Sequence, residues 1–160
     1  MKKLFILCIT AVALIAFTFS FPTANVSAAS SSEKAYVKKA SLNVKAKRSN
    51  SSNTIGKLKS GQTVKVYSTS YEGWSKIKYK NTYGYVHMQN LLFAEPDKWS
   101  KGVKSGVIKR AIKNGHLEPG EKYKIKKSPG APGYYQLFVE FDGQWYRAFT
   151  INCKSGWYHG

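Results

Sequence analysis

The sequence predicts a mainly β protein assembled from small barrels. Two observations carry that expectation. Short stretches of alternating apolar and polar residues recur along the chain between polar turns, the pattern of half-buried strands. Asp142-Gly143 separates two such stretches and is a strong two-residue hairpin signal. One segment, Val103 to Ile112, also fits a helical period.

The chain opens with Lys2 and Lys3, an apolar run from Leu4 to Phe21, Pro22, and small residues at Val26-Ser27-Ala28. That order predicts a cleavable secretory signal over residues 1–28. An uncleaved anchor is the alternative, since the run approaches the roughly 20 residues that span a bilayer. The remainder suits one domain or two very small ones. Residues 29–34 read as a Ser-rich, flexible lead-in. Loss of Cys8 with the signal leaves Cys153 unpaired, and a small buried thiol is expected there, with an intermolecular disulfide as the alternative. The formal net charge is +18. Such a surplus predicts attraction to polyanions and says nothing about fold.

Residues 35–94 form the first predicted domain. Strands are expected at Ala35-Tyr36-Val37, Ser41 to Val44, Thr63 to Tyr67, Ser75 to Tyr79 and Tyr83 to Val86, with an exposed loop from Lys47 to Thr54. Gly56 and Gly61 flank a turn where positive φ costs little. Gly73-Trp74 and Gly84-Tyr85 each set an aromatic at a strand start, and those rings are expected to fill much of a small core.

These residues resemble the bacterial SH3-type domain. The likeness rests on Leu42-Asn43-Val44-Lys45, Ile55 to Gly61, Val64-Lys65-Val66, Gly73-Trp74-Ser75-Lys76-Ile77, Gly84-Tyr85-Val86 and Leu91. It implies a small SH3-like barrel and a role in targeting exported proteins to the bacterial cell wall through peptidoglycan. Ala46-Lys47-Arg48-Ser49-Asn50 stands where the family usually has a small residue, Gly and Pro. The first long loop is therefore expected to be more basic and more mobile than usual.

Residues 95–98 read as a linker and residues 99–160 as a second small β-rich domain. Gly56, Gly61, Gly73 and Tyr85 have counterparts at Gly115, Gly120, Gly133 and Trp145, at offsets of 59 or 60. Val44 likewise matches Val103, and Leu58 matches Leu117. That spacing favours a degenerate second SH3-like barrel, a tandem repeat. The alternative is a helix over residues 103–113, stopped by Asn114-Gly115 and packed on an antiparallel meander. Both readings share a strand near Lys122 to Lys126 and a hairpin pairing Tyr135–Phe141 with Gln144–Ile151.

Catalytic chemistry is not expected. Cys153 follows a hairpin strand with no helix N-terminus to lower its pKa, and His87, His116 and His159 are scattered without metal-ligand spacing. None of the eight acids forms a privileged facing pair. No cofactor or metal is expected. The candidate ligand-binding residues are Tyr71, Trp74, Tyr83 and Tyr85, which can line an amphipathic groove, together with the cations Lys45, Lys47 and Arg48. The expected function is that of an exported, non-catalytic protein that binds peptidoglycan or anionic wall polymers. The rival class is a secreted cationic effector acting on anionic membrane surfaces or on a partner protein. Nucleic acid is disfavoured as a partner by export and by the lack of any recognition motif.

Overall fold

The computed structural model describes residues 31–160. The expected secretory signal and Cys8 lie outside the described residues. In the first half, alternation produces seven strands: β1 (Glu33–Val37), β2 (Ser41–Lys45), β3 (Thr54–Lys59), β4 (Thr63–Thr69), β5 (Trp74–Tyr79), β6 (Thr82–His87) and β7 (Leu91–Phe93). They form one antiparallel sheet in the order β3-β2-β6-β5-β4-β1-β7. Leu58 of edge strand β3 and Leu91 and Phe93 of edge strand β7 share a single core with Val44, Val66, Ile77 and Val86. The sheet therefore curls on itself into a small barrel. Register shifts at Val44/Lys45 in β2 and Val66/Ser68 in β4 supply bends.

Four expectations change here. Glu33 and Lys34, expected in the lead-in, are strand instead: β1 starts at Glu33, and the two residues pair with Val66 and Lys65. The core is aliphatic apart from Phe93, and Trp74 and Tyr85 lie on the outer face, since alternation turns Ser75, Ile77 and Val86 inward. Gly61 has the expected positive φ of 76°, whereas Gly56 sits within β3 for reasons of space. A Cβ there would lie 2.0 Å from the Tyr79 hydroxyl. The loop after β2 is closed by its own hydrogen bonds: Ala46 N–H to the Asn53 carbonyl at 2.9 Å and Lys47 N–H to Ser52 Oγ at 2.9 Å.

The second half is α1 (Val103–Lys113) followed by β8 (Tyr123–Lys127), β9 (Tyr134–Phe141), β10 (Gln144–Asn152) and β11 (Tyr158–His159). These strands form an antiparallel sheet in the order β11-β10-β9-β8. The favoured second barrel is thus replaced by the helix-and-meander alternative. Val103, the counterpart of strand residue Val44, opens the helix, and Gly115, the counterpart of mid-strand Gly56, ends it. There the His116 and Gly115 N–H groups donate to the Ala111 and Ile112 carbonyls, a Schellman closure with Gly115 at φ 70°. The repeated glycine spacing does not reflect a repeated fold, since Gly56 lies within a strand and Gly115 closes a helix. Val107 and Ala111 bury the helix against Leu137, Phe149 and Ile151 of the sheet. The β9–β10 hairpin turns at Asp142-Gly143, φ 48° and 71°, as two positive-φ residues allow.

The connector over residues 95–98 is docked against the second sheet. Asp97 accepts the Gly133 N–H at 2.7 Å and pairs with Lys127 at 2.5 Å, and its carbonyl accepts the Tyr135 hydroxyl at 2.6 Å. The Lys127 hydrogen bond and then the Gly133 N–H hold the Asp97 carboxyl below the usual carboxylate range. A buried lysine completes the junction. Lys154 pairs with Glu33 of β1, donates to the Lys98 carbonyl at 2.6 Å and lies 5.0 Å from the Phe93 ring.

Candidate functional site

Strands β5 and β6 turn one face to the core and the other outward. Outward pointing are Trp74, Lys76 and Lys78 on β5 and Tyr83, Tyr85 and His87 on β6. Register sets Trp74 against His87, Lys76 against Tyr85 and Lys78 against Tyr83. Each of the last two pairs sets a cation beside an aromatic. The Lys76 ammonium lies 4.1 Å from the Tyr83 ring centroid and that of Lys78 4.9 Å, while Tyr67 meets Tyr83 edge-on at 5.3 Å. Lys45 of β2 adjoins Tyr85, and Arg48 lies 5.6 Å from the Tyr85 ring.

Of the residues expected to bind, Trp74 and Lys45 share one cleft of about 360 Å³, also lined by Asn43, Asn50, His87 and Gln89. Lys45 has a structural task as well, since its ammonium donates to the Ser52 carbonyl at 2.8 Å and Thr54 Oγ1 at 3.2 Å. Tyr83 and Tyr85 stand beside this cleft on the same outer face. Lys47 and Arg48 are exposed in the loop after β2, and Arg48 lines a separate cleft together with Tyr71, Glu72 and Arg110. Tyr71 is placed elsewhere: it pins the two halves together. Its ring lies 4.4 Å under the Arg110 guanidinium and meets Tyr158 edge-on, and its hydroxyl reaches the Tyr158 carbonyl at 3.5 Å. It lines a second cleft of about 350 Å³ with Met88, Tyr134 and Trp157.

His87 walls both clefts. Its Nε2 lies 3.1 Å from the Glu72 carbonyl, its ring meets Trp74 edge-on at 5.6 Å, and its buried Nδ1 has no partner. Period-two alternation from Tyr83 and Tyr85 would have placed His87 on this face. Nothing in the sequence signalled that Trp157, at the far end of the chain, would face the same histidine.

This curled sheet, with its aromatic and cationic outer face, coincides with a family match. The family model described as Bacterial SH3 domain matches residues 40–91. Residues 40–91 are a bacterial SH3 domain. Such domains are commonly cell-wall binding modules, and this one is consistent with an extracytoplasmic location. The SH3 match ends before the connector, so α1 and β8–β11 carry no family assignment, and no curated protein matches the chain.

Cys153 and His116 each have partners within the fold. The Cys153 thiol is buried against the Pro96 and Lys98 carbonyls at 3.2 and 3.5 Å, and burial pushes its pKa up from 9.0 to about 11. His116 Nδ1 lies 3.1 Å from the Tyr158 hydroxyl. Among the described residues, no three His, Cys, Asp or Glu side chains gather as a metal site, and no helix is long and apolar enough to cross a membrane.

Proposed function

We propose that this is an exported, non-catalytic protein whose SH3 domain binds bacterial cell wall, with peptidoglycan or its associated anionic polymers as ligand. The observation that supports the reading most is the outer face of β5 and β6. There, aromatic rings alternate with ammonium groups beside the cleft that joins Trp74 to Lys45. Rings and polar groups give a peptide or sugar an amphipathic wall, and the lysines give a polyanion its counter-charge.

The test is sedimentation with purified wall, with and without its anionic polymers, across a salt series. Trp74→Ala is expected to weaken binding about tenfold, the scale of an aromatic hot spot. Replacing Lys47 and Arg48 by Ala should flatten the salt dependence instead. Absence of wall binding at low salt sinks the proposal. Binding that vanishes with the anionic polymers assigns the ligand to them.

A further inference from the structure

The second sheet extends past the helix that covers it. The cluster under α1 holds Leu137, Phe149 and Ile151 with Val139 at its margin, and Tyr123 borders the helix beside Ile108, whereas toward the Asp142-Gly143 turn the aromatic rings stand exposed on both faces. On one face Tyr123, Val139 and Tyr146 form a cross-strand row, with Phe141 next along β9. On the other, Trp145 carries the Lys124 ammonium 3.7 Å from its ring centroid. Phe141 is 72% exposed, Tyr146 55%, Tyr123 42% and Trp145 40%. Half of the exposed large apolar side chains of the described residues therefore gather at one protruding tip, which is a patch and not scatter.

Charge narrows the occupant. Lys122, Lys124 and Arg147 flank the tip, with Lys126 farther back opposite Gln136, against Glu140, which is paired with Lys122 at 3.2 Å, and Asp142 in the turn. A polyanion alone would leave Phe141, which has no polar atom, in water. A protein partner would have to cup a two-faced wedge. An anionic bilayer meets both demands: its headgroup region accepts aromatic rings, and its phosphates attract lysine and arginine.

We propose that the tip of the β9–β10 hairpin is a membrane-interfacial anchor, in which Phe141, Trp145 and Tyr146 enter the headgroup region of an anionic bilayer while Lys124, Lys126 and Arg147 lie against lipid phosphates. The inference stands apart from wall binding, because it uses the half of the chain that the SH3 match does not include.

The experiment uses the full chain with vesicles of phosphatidylglycerol in phosphatidylcholine, and with phosphatidylcholine alone. The local readout is quenching of tryptophan fluorescence by lipids brominated near the headgroup. Quenching is expected on the anionic vesicles, and Trp145→Phe should remove most of it although Trp74, Trp99 and Trp157 remain. Phe141→Ser with Tyr146→Ser should reduce it severalfold, and Lys124→Ser should weaken the anionic preference about fivefold. The segment before residue 31 is the same in every variant, so these differences report the hairpin. Quenching that survives Trp145→Phe overturns the proposal, as does equal quenching on neutral vesicles. A dimer that dissociates on Phe141→Ser, with no quenching by lipid, overturns it in favour of a second copy as occupant. Wall sedimentation by the Phe141→Ser variant should match the parent, which separates failure of the anchor from failure of wall binding.

Discussion

Substituting Glu33 tests the junction between the two halves. Lys154 is 2% exposed and its ammonium pairs with Glu33, which keeps 23% of its side-chain surface in water. The remaining partners of the ammonium are the Lys98 carbonyl at 2.6 Å and the face of Phe93. Glu33→Gln preserves shape and an acceptor for Ser100, but it leaves a buried cation without its counter-ion. Removing one partner of a buried pair costs about 3–5 kcal/mol, and the exposure of Glu33 favours the low end. The retained amide oxygen restores about 1 kcal/mol, so the expected loss is about 2 kcal/mol. Lys154→Met removes the more deeply buried charge and leaves Glu33, which keeps water and the Ser100 hydroxyl as partners, so it should cost less than Glu33→Gln. Urea unfolding followed by tryptophan fluorescence reads both, as a lower midpoint at unchanged slope. The reasoning is refuted if Lys154→Met is the more damaging change, or if Glu33→Gln lies within about 0.5 kcal/mol of the parent, the range of ordinary surface substitutions.

Two further outcomes follow from packing and burial. Gly84→Ala places a Cβ 2.3 Å from Cγ1 of the fully buried Val44, and overpacking of that kind should cost about 1–3 kcal/mol in the same urea assay; an unchanged midpoint would show that the strands can part there. Cys153 stays protonated in the fold up to about 11 but titrates near 9.0 when unfolded. The unfolded chain then releases its proton first, so stability should fall as pH rises between those values. The difference between parent and Cys153→Ala isolates this slope, and a difference that does not vary with pH removes the argument.

The first half was legible because its signals are local. Alternation at Val64-Lys65-Val66 and Ser75-Lys76-Ile77 fixes which face is buried, and the resulting strands are those observed. The same alternation, with Ile77 and Val86 inward, gives Trp74 and Tyr85 outward parity, and an expectation based on their apolar area alone overlooks it. In the second half, Val103 to Lys113 fits strand or helix about equally by composition, and the turn glycines tipped the reading toward a repeat. The Schellman closure at Asn114-Gly115 and the fit of Val107 and Ala111 onto the sheet decide for the helix. The Glu33–Lys154 pair spans 121 residues, and no pattern of short range can announce it. For the candidate site, residue type alone grouped Trp74 with Lys45, and only the strand order of the folded sheet shows that they line one cleft. Tyr71 was misplaced because its partners, Arg110 and Tyr158, belong to the half whose fold was open.

The strand order also determines how the SH3 barrel can breathe. β5 and β6 are paired from Trp74↔His87 to Tyr79↔Thr82, whereas β2 meets β6 only at Lys45↔Tyr85. The β2–β3 ribbon thus hangs from the rest of the sheet by one rung, and the cleft lies across that joint, with Asn43 and Lys45 on one bank and Trp74 and His87 on the other. A ligand that grips both banks acts as a brace. It must suppress opening of the ribbon by RT ln(1 + L/Kd), with L the free ligand concentration and Kd that of the closed state. Occupancy and stiffness are therefore two readings of one equilibrium, and a copy held at this cleft is a more rigid barrel than a free one.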